Sequence, residues 1–360
     1  MRKACIQVEQ RLGEQLRILL VEKELLDADF PIIKEDKHLF FPTKRSIAAK
    51  ELSALEQRIG PLALVQKDIT PLVRKPPDLT TALEGKLPVG LVESIPHSLD
   101  IIGTIAIVEL DSKLTPYETV IGEAIREVNS RVVTVYAKEG GVEGVYRVRP
   151  LRLITGKDQT TTVHTEYGIK LAVDVAQTYF SPRLGTEHDR VTQLVEAQEI
   201  IVDMFTGVGP FALLAAKRQP VTVYAIDVNE QAIQCLKKSI TLNRLTGEVV
   251  PLTGDARLII QDQLDKKADR VIMNLPHNAF DYLDAAATAI SSSGGVIHFY
   301  GITTESRSLE MLCDEVIAEL GNFGRKATVS STRIVRPFAP HEFQVVIDLQ
   351  IAPENTIRVT

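Results

Sequence analysis

Three features of this 360-residue sequence predict an α/β fold. From about residue 191, short apolar runs alternate with helical segments over short connections, as in a mostly parallel, doubly wound sheet covered by helices on both faces. The chain closes with "KATVSSTRIVRPFAPHEFQVVIDLQIA", two strand-like runs joined by a Pro-containing loop, expected to form an antiparallel pair at a sheet edge. Ahead of residue 191, alternating strands predict a strand-rich α+β middle domain, preceded by a small N-terminal α/β domain.

Residues 1–70 carry the strand "KACIQV", the helix "EQRLGEQLRILLVEKELL", the strand "HLFFPTK", the helix "SIAAKELSALEQRI" and the strand "LALVQKDI". Residues 71–98 are rich in proline and poor in periodicity, so they are expected to be a linker with room for one short helix. In residues 99–190, "DIIGTIAIVEL" is read as an apolar strand, "PYETVIGEAIREVNSR" as a helix and "RVVTVYAK" as a strand. Two further strand-like stretches follow, "GVYRVRPLRLI" and "TTTVHTEYGIKLAVDV", the second with Tyr167-Gly168 turning a hairpin. Residues 191–360 alternate in earnest: "EIIVDMF", "PFALLAAKR", "VTVYAID", "NEQAIQCLKKSITLNRL", "EVVPLTGDA", "ADRVIMNLP", "AFDYLDAAATAI", "GGVIHFYGI" and "ESRSLEMLCDEVIAEL".

Hydrophobic residues at 44% and charged residues at 24% fit a globular protein and make disorder a poor description. No apolar stretch approaches the roughly 20 residues that span a bilayer. The N-terminus is interrupted by charges too often for a signal peptide, so a cytoplasmic location is expected. Cys5, Cys235 and Cys313 lie far apart with no CxxC spacing, which points to buried thiols and to neither a disulfide framework nor a metal site. A net charge of -6 argues against non-specific coating of nucleic acid. A local basic stretch, "RVRPLRLITGK", nevertheless places Arg147, Arg149, Arg152 and Lys157 together, either as a solvated strand face or as an RNA contact.

Ligands of open α/β sheets bind beyond the carboxyl ends of the strands. Four strand ends here carry polar or glycine signals. In "DMFTGVGPF", Asp203 ends a strand, and Gly207 and Gly209 allow a tight turn before a helix; Pro210 and Phe211 rule out a GxGxxG fingerprint. In "YAIDVN", Asp227 follows about twenty residues on, suited to gripping ribose hydroxyls or else to capping the next helix, a role Asn229 could also fill. "TGDAR" offers Asp255 to an adenine amine, and "NLP" ends the fourth strand with Asn274 and Pro276.

That set and order resemble the class I, Rossmann-like S-adenosylmethionine-dependent methyltransferases, with a NAD enzyme as the weaker alternative. Taken with "VYRVRPLRLITG", "YFSPRLGTEHDRV" and "RVIMNLP", the chain from about residue 140 resembles the archaeal and eukaryotic Trm5 family, the tRNA (guanine-37-N1)-methyltransferases. The resemblance implies S-adenosylmethionine as cofactor, no metal, and tRNA with G37 as partner, held at the anticodon loop and, through the first domain, at a distant part such as the elbow. It implies Glu187 as the base for the guanine N1 proton, Arg147 as the cation beside O6, and Asn274 at the base edge. Around the cofactor it implies Tyr179, Asp203, Phe205, Gly207, Gly209, Asp227, Asp255, Asn274 and Pro276. Arg147, Arg149, Arg152 and Arg183 are the expected RNA contacts, and the protein is expected to be monomeric.

The residue types suit that chemistry. Guanine N1 is a poor nucleophile until its proton leaves, so a base and a nearby permanent cation are required. Each assignment has a plainer rival: Glu187 also suits a helix N-terminus, and Tyr179 also suits packing. His164 and His298 are read as satisfied histidines, and His277 receives no catalytic role. Three other functions compete: a wyosine-pathway aminocarboxypropyltransferase of the same superfamily, a dual-activity methyltransferase, and a non-catalytic RNA-binding module with a relic cofactor fold.

Overall fold

The computed structural model describes residues 1–72, 76–96, 98–140, 148 and 150–354 and divides into two units, Met1–Pro77 and Asp78–Thr360. The first contains β1 (Arg2–Glu9), α1 (Gly13–Glu22), β2 (Ile33–Glu35), β3 (His38–Pro42), α2 (Ala49–Ile59) and β4 (Ala63–Asp68). Its sheet is antiparallel, in the order β2-β3-β1-β4. Alternate residues of β1 and β3, Ile6, Val8 and Phe41, are buried with Leu16, Leu20 and Leu55 of the two helices.

The second unit begins inside the stretch expected to be a linker. α3 (Leu79–Leu83) and a helical turn at Val89–Ser94 bring Leu83, Leu87 and Ile95 into one cluster with Val108, Ile121 and Val135. From residue 79 onward the linker expectation is thus corrected: the prolines break periodicity, yet the apolar residues between them cover a sheet. That sheet is β5-β6-β7-β8, built from β5 (Leu99–Ile102), β6 (Ile105–Val108), β7 (Thr134–Lys138) and β8 (Leu151–Gly156), with α4 (Glu118–Val128) crossing between β6 and β7. β6 and β7 run parallel and the other pairs antiparallel.

"DIIGTIAIVEL" is two strands and not one, because Gly103 turns back at φ +57° and Ile102 faces Ile105. β9 (Thr161–Glu166) and β10 (Ile169–Asp174) form the expected hairpin, with positive φ at both Tyr167 and Gly168, as a type I′ turn demands. The expected separation of 99–190 from 191–360 is not a break in packing. The Ala172 N–H donates to Ser239 Oγ at 2.8 Å, and Asn243 bonds both the N–H and the carbonyl of Lys170.

α5 (Gly185–Gln193) leads into the large sheet: β11 (Ile200–Asp203), α6 (Pro210–Arg218), β12 (Thr222–Asp227), α7 (Glu230–Leu242), β13 (Glu248–Thr253), α8 (Ala256–Ile259), β14 (Arg270–Met273), α9 (Leu283–Ala289), β15 (Gly295–Thr303), α10 (Leu309–Asn322), β16 (Ala327–Ala339) and β17 (Glu342–Ile351). The order is β13-β12-β11-β14-β15-β17-β16, parallel through β15 and closed by the expected antiparallel pair. Both faces are apolar with a period of two. Ile201 and Ile272 join Phe211 and Leu236 of α6 and α7 on one face. Val202, Val271 and Met273 join α9 and α10 residues such as Leu283 and Leu312 on the other. Among the described residues no helix is long and apolar enough to cross a membrane. Cys5 and Cys235 are buried and Cys313 is partly buried, all as free thiols.

Candidate active site

The strand order reverses between β11 and β14, which opens a crevice at their carboxyl ends. A cavity of about 1000 Å³ occupies it, with all four expected strand ends on its wall: Gly207 after β11, Asp227 at the end of β12, Asp255 after β13 and Asn274 after β14. Phe205, Leu275 and Pro276 supply apolar wall, while Tyr179, Arg183 and the β16–β17 residues Arg336, Phe338 and Gln344 line it too.

Asp227 holds the glycine loop. Its Oδ2 accepts from the Gly207 N–H at 2.7 Å and its Oδ1 from the Asn229 N–H at 2.9 Å. Asn229 is the cap of α7, accepting from the Gln231 and Ala232 N–H groups, so the capping alternative for Asp227 falls away. Burial raises the Asp227 pKa, against the pull of these backbone donors. Each oxygen keeps a lone pair for a further donor. Asp255 does cap: Oδ1 accepts from the Arg257 and Leu258 N–H groups while Oδ2 accepts from Tyr282 Oη at 3.2 Å. The Tyr282 ring meets Phe205 edge to face at 5.0 Å, and both rings line the cavity.

Two expected cavity residues work from behind instead. Asp203 is fully buried and does not line the cavity. Its Oδ2 accepts from Thr206 Oγ1 at 2.7 Å, which ties down the loop, and its Oδ1 meets no hydrogen-bond donor among the described residues. Burial pushes its carboxyl up to about 7. Gly209 is also off the wall. It sits at φ +85° as the residue before α6, and a Cβ there would lie 2.3 Å from Leu236 Cδ1. Gly209→Ala is expected to cost about 1–2 kcal/mol from the left-handed backbone alone, readable as a lower urea midpoint; an unchanged midpoint would show that the turn tolerates a side chain.

Glu187 is 3% exposed and lies outside the cavity lining. Arg190, one turn on in α5, donates to both of its oxygens (3.0 and 2.7 Å), and Tyr300 Oη donates to Oε1 at 2.8 Å. Of the roughly four lone-pair positions of a carboxylate, one on Oε2 stays open. The same Arg190 also reaches Asp348 at 2.7 and 3.2 Å. From there a buried chain runs through His298 (2.6 Å) to Arg270 (2.8 Å), which forks onto Glu199. Sequence reading missed this chain. Its signal is that His298 and Asp348 each interrupt an apolar strand run and face one another in the β15–β17 register. His164, whose Nδ1 accepts from the Gly103 N–H, and His298 are satisfied histidines, as expected.

The basic residues diverge. Arg147 and Arg149 lie outside the described residues. Arg152 is paired with Glu118 and Glu139, so its charge is already balanced, whereas Arg183 lines the cavity and bonds Asp100 at 2.7 Å. His277 stacks edge-on against Phe338 at the cavity wall.

Comparison with known proteins matches three family models to successive parts of the chain. The tRNA methyltransferase 5 N-terminal domain covers residues 5–51, the TYW2 N-terminal domain 79–160, and the TRM5/TYW2 methyltransferase domain 162–330. The tRNA (guanine(37)-N(1))-methyltransferase Trm5b of Pyrococcus abyssi is 37% identical over 348 residues, 97% of this chain and 99% of that protein. A solved complex of aTrm5 and tRNALeu, 33% identical, covers 96% of this chain and 99% of its own with a TM-score of 0.73. The structure of Methanocaldococcus jannaschii TYW2 with AdoMet, 26% identical, covers 71% of this chain and 100% of its own with a TM-score of 0.56. With a match of this identity over 97% of its length, the chain belongs to the Trm5 family.

Proposed function

We propose that this protein transfers a methyl group from S-adenosylmethionine to N1 of the guanine at position 37 of tRNA. The observation that carries the reading is the convergence of Gly207, Asp227, Asp255 and Asn274 on one cavity, in a chain alignable end to end with a relative of that activity. The residues fit the cofactor. Asp227 has acceptor capacity left for ribose hydroxyls, Phe205 and Tyr282 give the cavity an aromatic wall, and Asp255 on the same cavity has a carboxylate able to accept from an exocyclic amine. When bound, S-adenosylmethionine supplies an electrophilic methyl group.

The remaining work falls to the chain. Asn274 meets the edge of the target base. Arg147 is proposed as the cation beside O6, where negative charge develops as the N1 proton leaves. Glu187 receives that proton. Because Glu187 lies off the cavity wall, its carboxylate has to turn toward the base, which loosens its bonds to Arg190 and leaves that guanidinium on Asp348. The proton passes from guanine N1 to the carboxylate, and the electron pair it leaves on N1 would form the bond to the methyl, whose former C–S pair would stay on the sulfur of a neutral thioether. The first unit is proposed to hold a distant part of the same tRNA, with the protein acting as a monomer in the cytoplasm. The wyosine-pathway transferase reading is weaker, because the TYW2 structure spans 71% of this chain while the match to a Trm5 N-terminal domain begins at residue 5.

Radiolabelled methyl transfer to unmodified tRNA transcripts carrying G37 or A37 tests the proposal. Label in G37 alone is expected, and equal labelling of both sinks the site assignment. Glu187→Gln is expected to lower kcat by about 10²- to 10³-fold, as for loss of a general base, with tRNA affinity held. Intact turnover would remove Glu187 from the mechanism.

A further inference from the structure

The polarity of Asn274 is set by side chains behind it. Arg336 has donors only. Its Nε donates to Gln344 Oε1 at 2.9 Å, and its terminal nitrogens donate to Ser181 Oγ and Tyr179 Oη, each at 3.0 Å. Gln344 is 1% exposed, so its amide has to satisfy both ends within the protein. With its carbonyl committed to Arg336, it turns its NH₂ to Asn274 Oδ1 at 3.3 Å. Asn274 then has its oxygen engaged from behind and its two-donor Nδ2 left to serve the cavity that it lines. An unsupported amide could present either face, since the two differ only by a half-turn of its last torsion.

We infer that Arg336 and Gln344 are positioning residues that hold Asn274 with its NH₂ toward the target base. The site thereby favours a base with an acceptor at its six-position, the carbonyl of guanine, over one with a donor there, the amine of adenine. This rests on the reading of Asn274 as the base-edge residue. The residues involved come from distant parts of the chain: the turn after β14 supplies Asn274, the β16–β17 pair supplies Arg336 and Gln344, and the segment before α5 supplies Tyr179 and Ser181.

Gln344→Glu tests it. A carboxylate only accepts, so Asn274 has to turn its NH₂ back and present its oxygen to the base. With transcripts carrying guanosine, inosine or adenosine at position 37, the wild type is expected to label guanosine and inosine, which share the six-carbonyl. Gln344→Glu is expected to lower kcat on both by about 30-fold, the scale of a mispaired buried hydrogen bond. The KM for tRNA and the Kd for S-adenosylmethionine should stay within about threefold, and labelling of adenosine relative to guanosine should rise. Gln344→Met, unable to take either role, should lower the guanosine rate without favouring adenosine, and Arg336→Lys should restore part of what Arg336→Met loses. A Gln344→Glu enzyme with wild-type rate and base preference overturns the inference while leaving the methylation reading intact. So does an equal fall on all three bases in both Gln344 variants, which marks a structural role only. A wild type that labels no guanosine overturns the methylation reading and this inference together.

Discussion

Asp227→Ala is expected to raise the Kd for S-adenosylmethionine by about 10²- to 10⁴-fold. Two hydroxyl-to-carboxylate hydrogen bonds at about 1.5–3 kcal/mol each set the scale, with about 1.4 kcal/mol per tenfold. The truncation also releases the Gly207 and Asn229 N–H groups, which Asp227 holds at 2.7 and 2.9 Å, so the loop after β11 and the cap of α7 loosen together. Folding stability should change far less than affinity. Burial already disfavours the ionised carboxylate, as its raised pKa shows, and removing it relieves that desolvation. Calorimetric titration with S-adenosylmethionine, paired with a denaturant curve, separates the two effects. Asp227→Asn is the informative intermediate, because an amide can accept from only one of the two N–H groups. A loss below about tenfold for Asp227→Ala, no more than one ordinary hydrogen bond, would mean that the cofactor is gripped elsewhere.

The position of Asp227 was legible in the sequence because a strand end is a local feature. An apolar run, an acid and a following helix fix it at the sheet's carboxyl edge, and the same argument placed Gly207, Asp255 and Asn274 on the cavity. Which way an acid at such an edge points is not local. Asp203 ends β11 just as Asp227 ends β12, yet it turns under the loop toward Thr206. Residues 79–95 misled for a related reason, since Gly85 and Pro88 interrupt the run around Leu83 and Leu87, and these residues and Ile95 are buried because a sheet lies against them. Least legible were contacts that close over long sequence separations, such as Arg336 with Tyr179 and Arg190 with Asp348. The i, i+3 spacing of Glu187 and Arg190 could be read as a helix pair. Nothing local reveals that the pair is buried and shared.

That shared network predicts the largest effect on stability. Arg270 is 4% exposed and donates to both oxygens of Glu199 at 2.7 and 2.8 Å, to the Leu194 carbonyl at 2.7 Å and to His298 Nε2 at 2.8 Å. A guanidinium cannot accept, so His298 Nε2 must, and its proton then resides on Nδ1, donated to Asp348. His298 is therefore neutral, and burial lowers its pKa. Burial alone would raise the Asp348 pKa, but hydrogen bonds from His298 and Arg190 hold it well below the ordinary carboxylate range. Both shifts have the same sign for stability. A histidine that stays neutral in the fold loses ground as pH drops below its unfolded value of about 6.5, where only the unfolded chain takes the proton. Asp348 adds a second loss below about 3.9. These two groups are expected to lower the unfolding free energy as pH falls from 7, more steeply in acid, while the raised carboxyls of Asp203 and Asp227 act in the opposite sense, so their part is read as the difference between wild type and an Arg270 variant. Arg270→Met is expected to cost about 3–5 kcal/mol at pH 7, the scale for removing one partner of a buried ion pair. It should also flatten the slope between about pH 6.5 and 4, because His298 freed at Nε2 can take a proton and pair with Asp348. Denaturant curves across that range check both. A full slope in the variant would place the titrating group outside this chain of contacts.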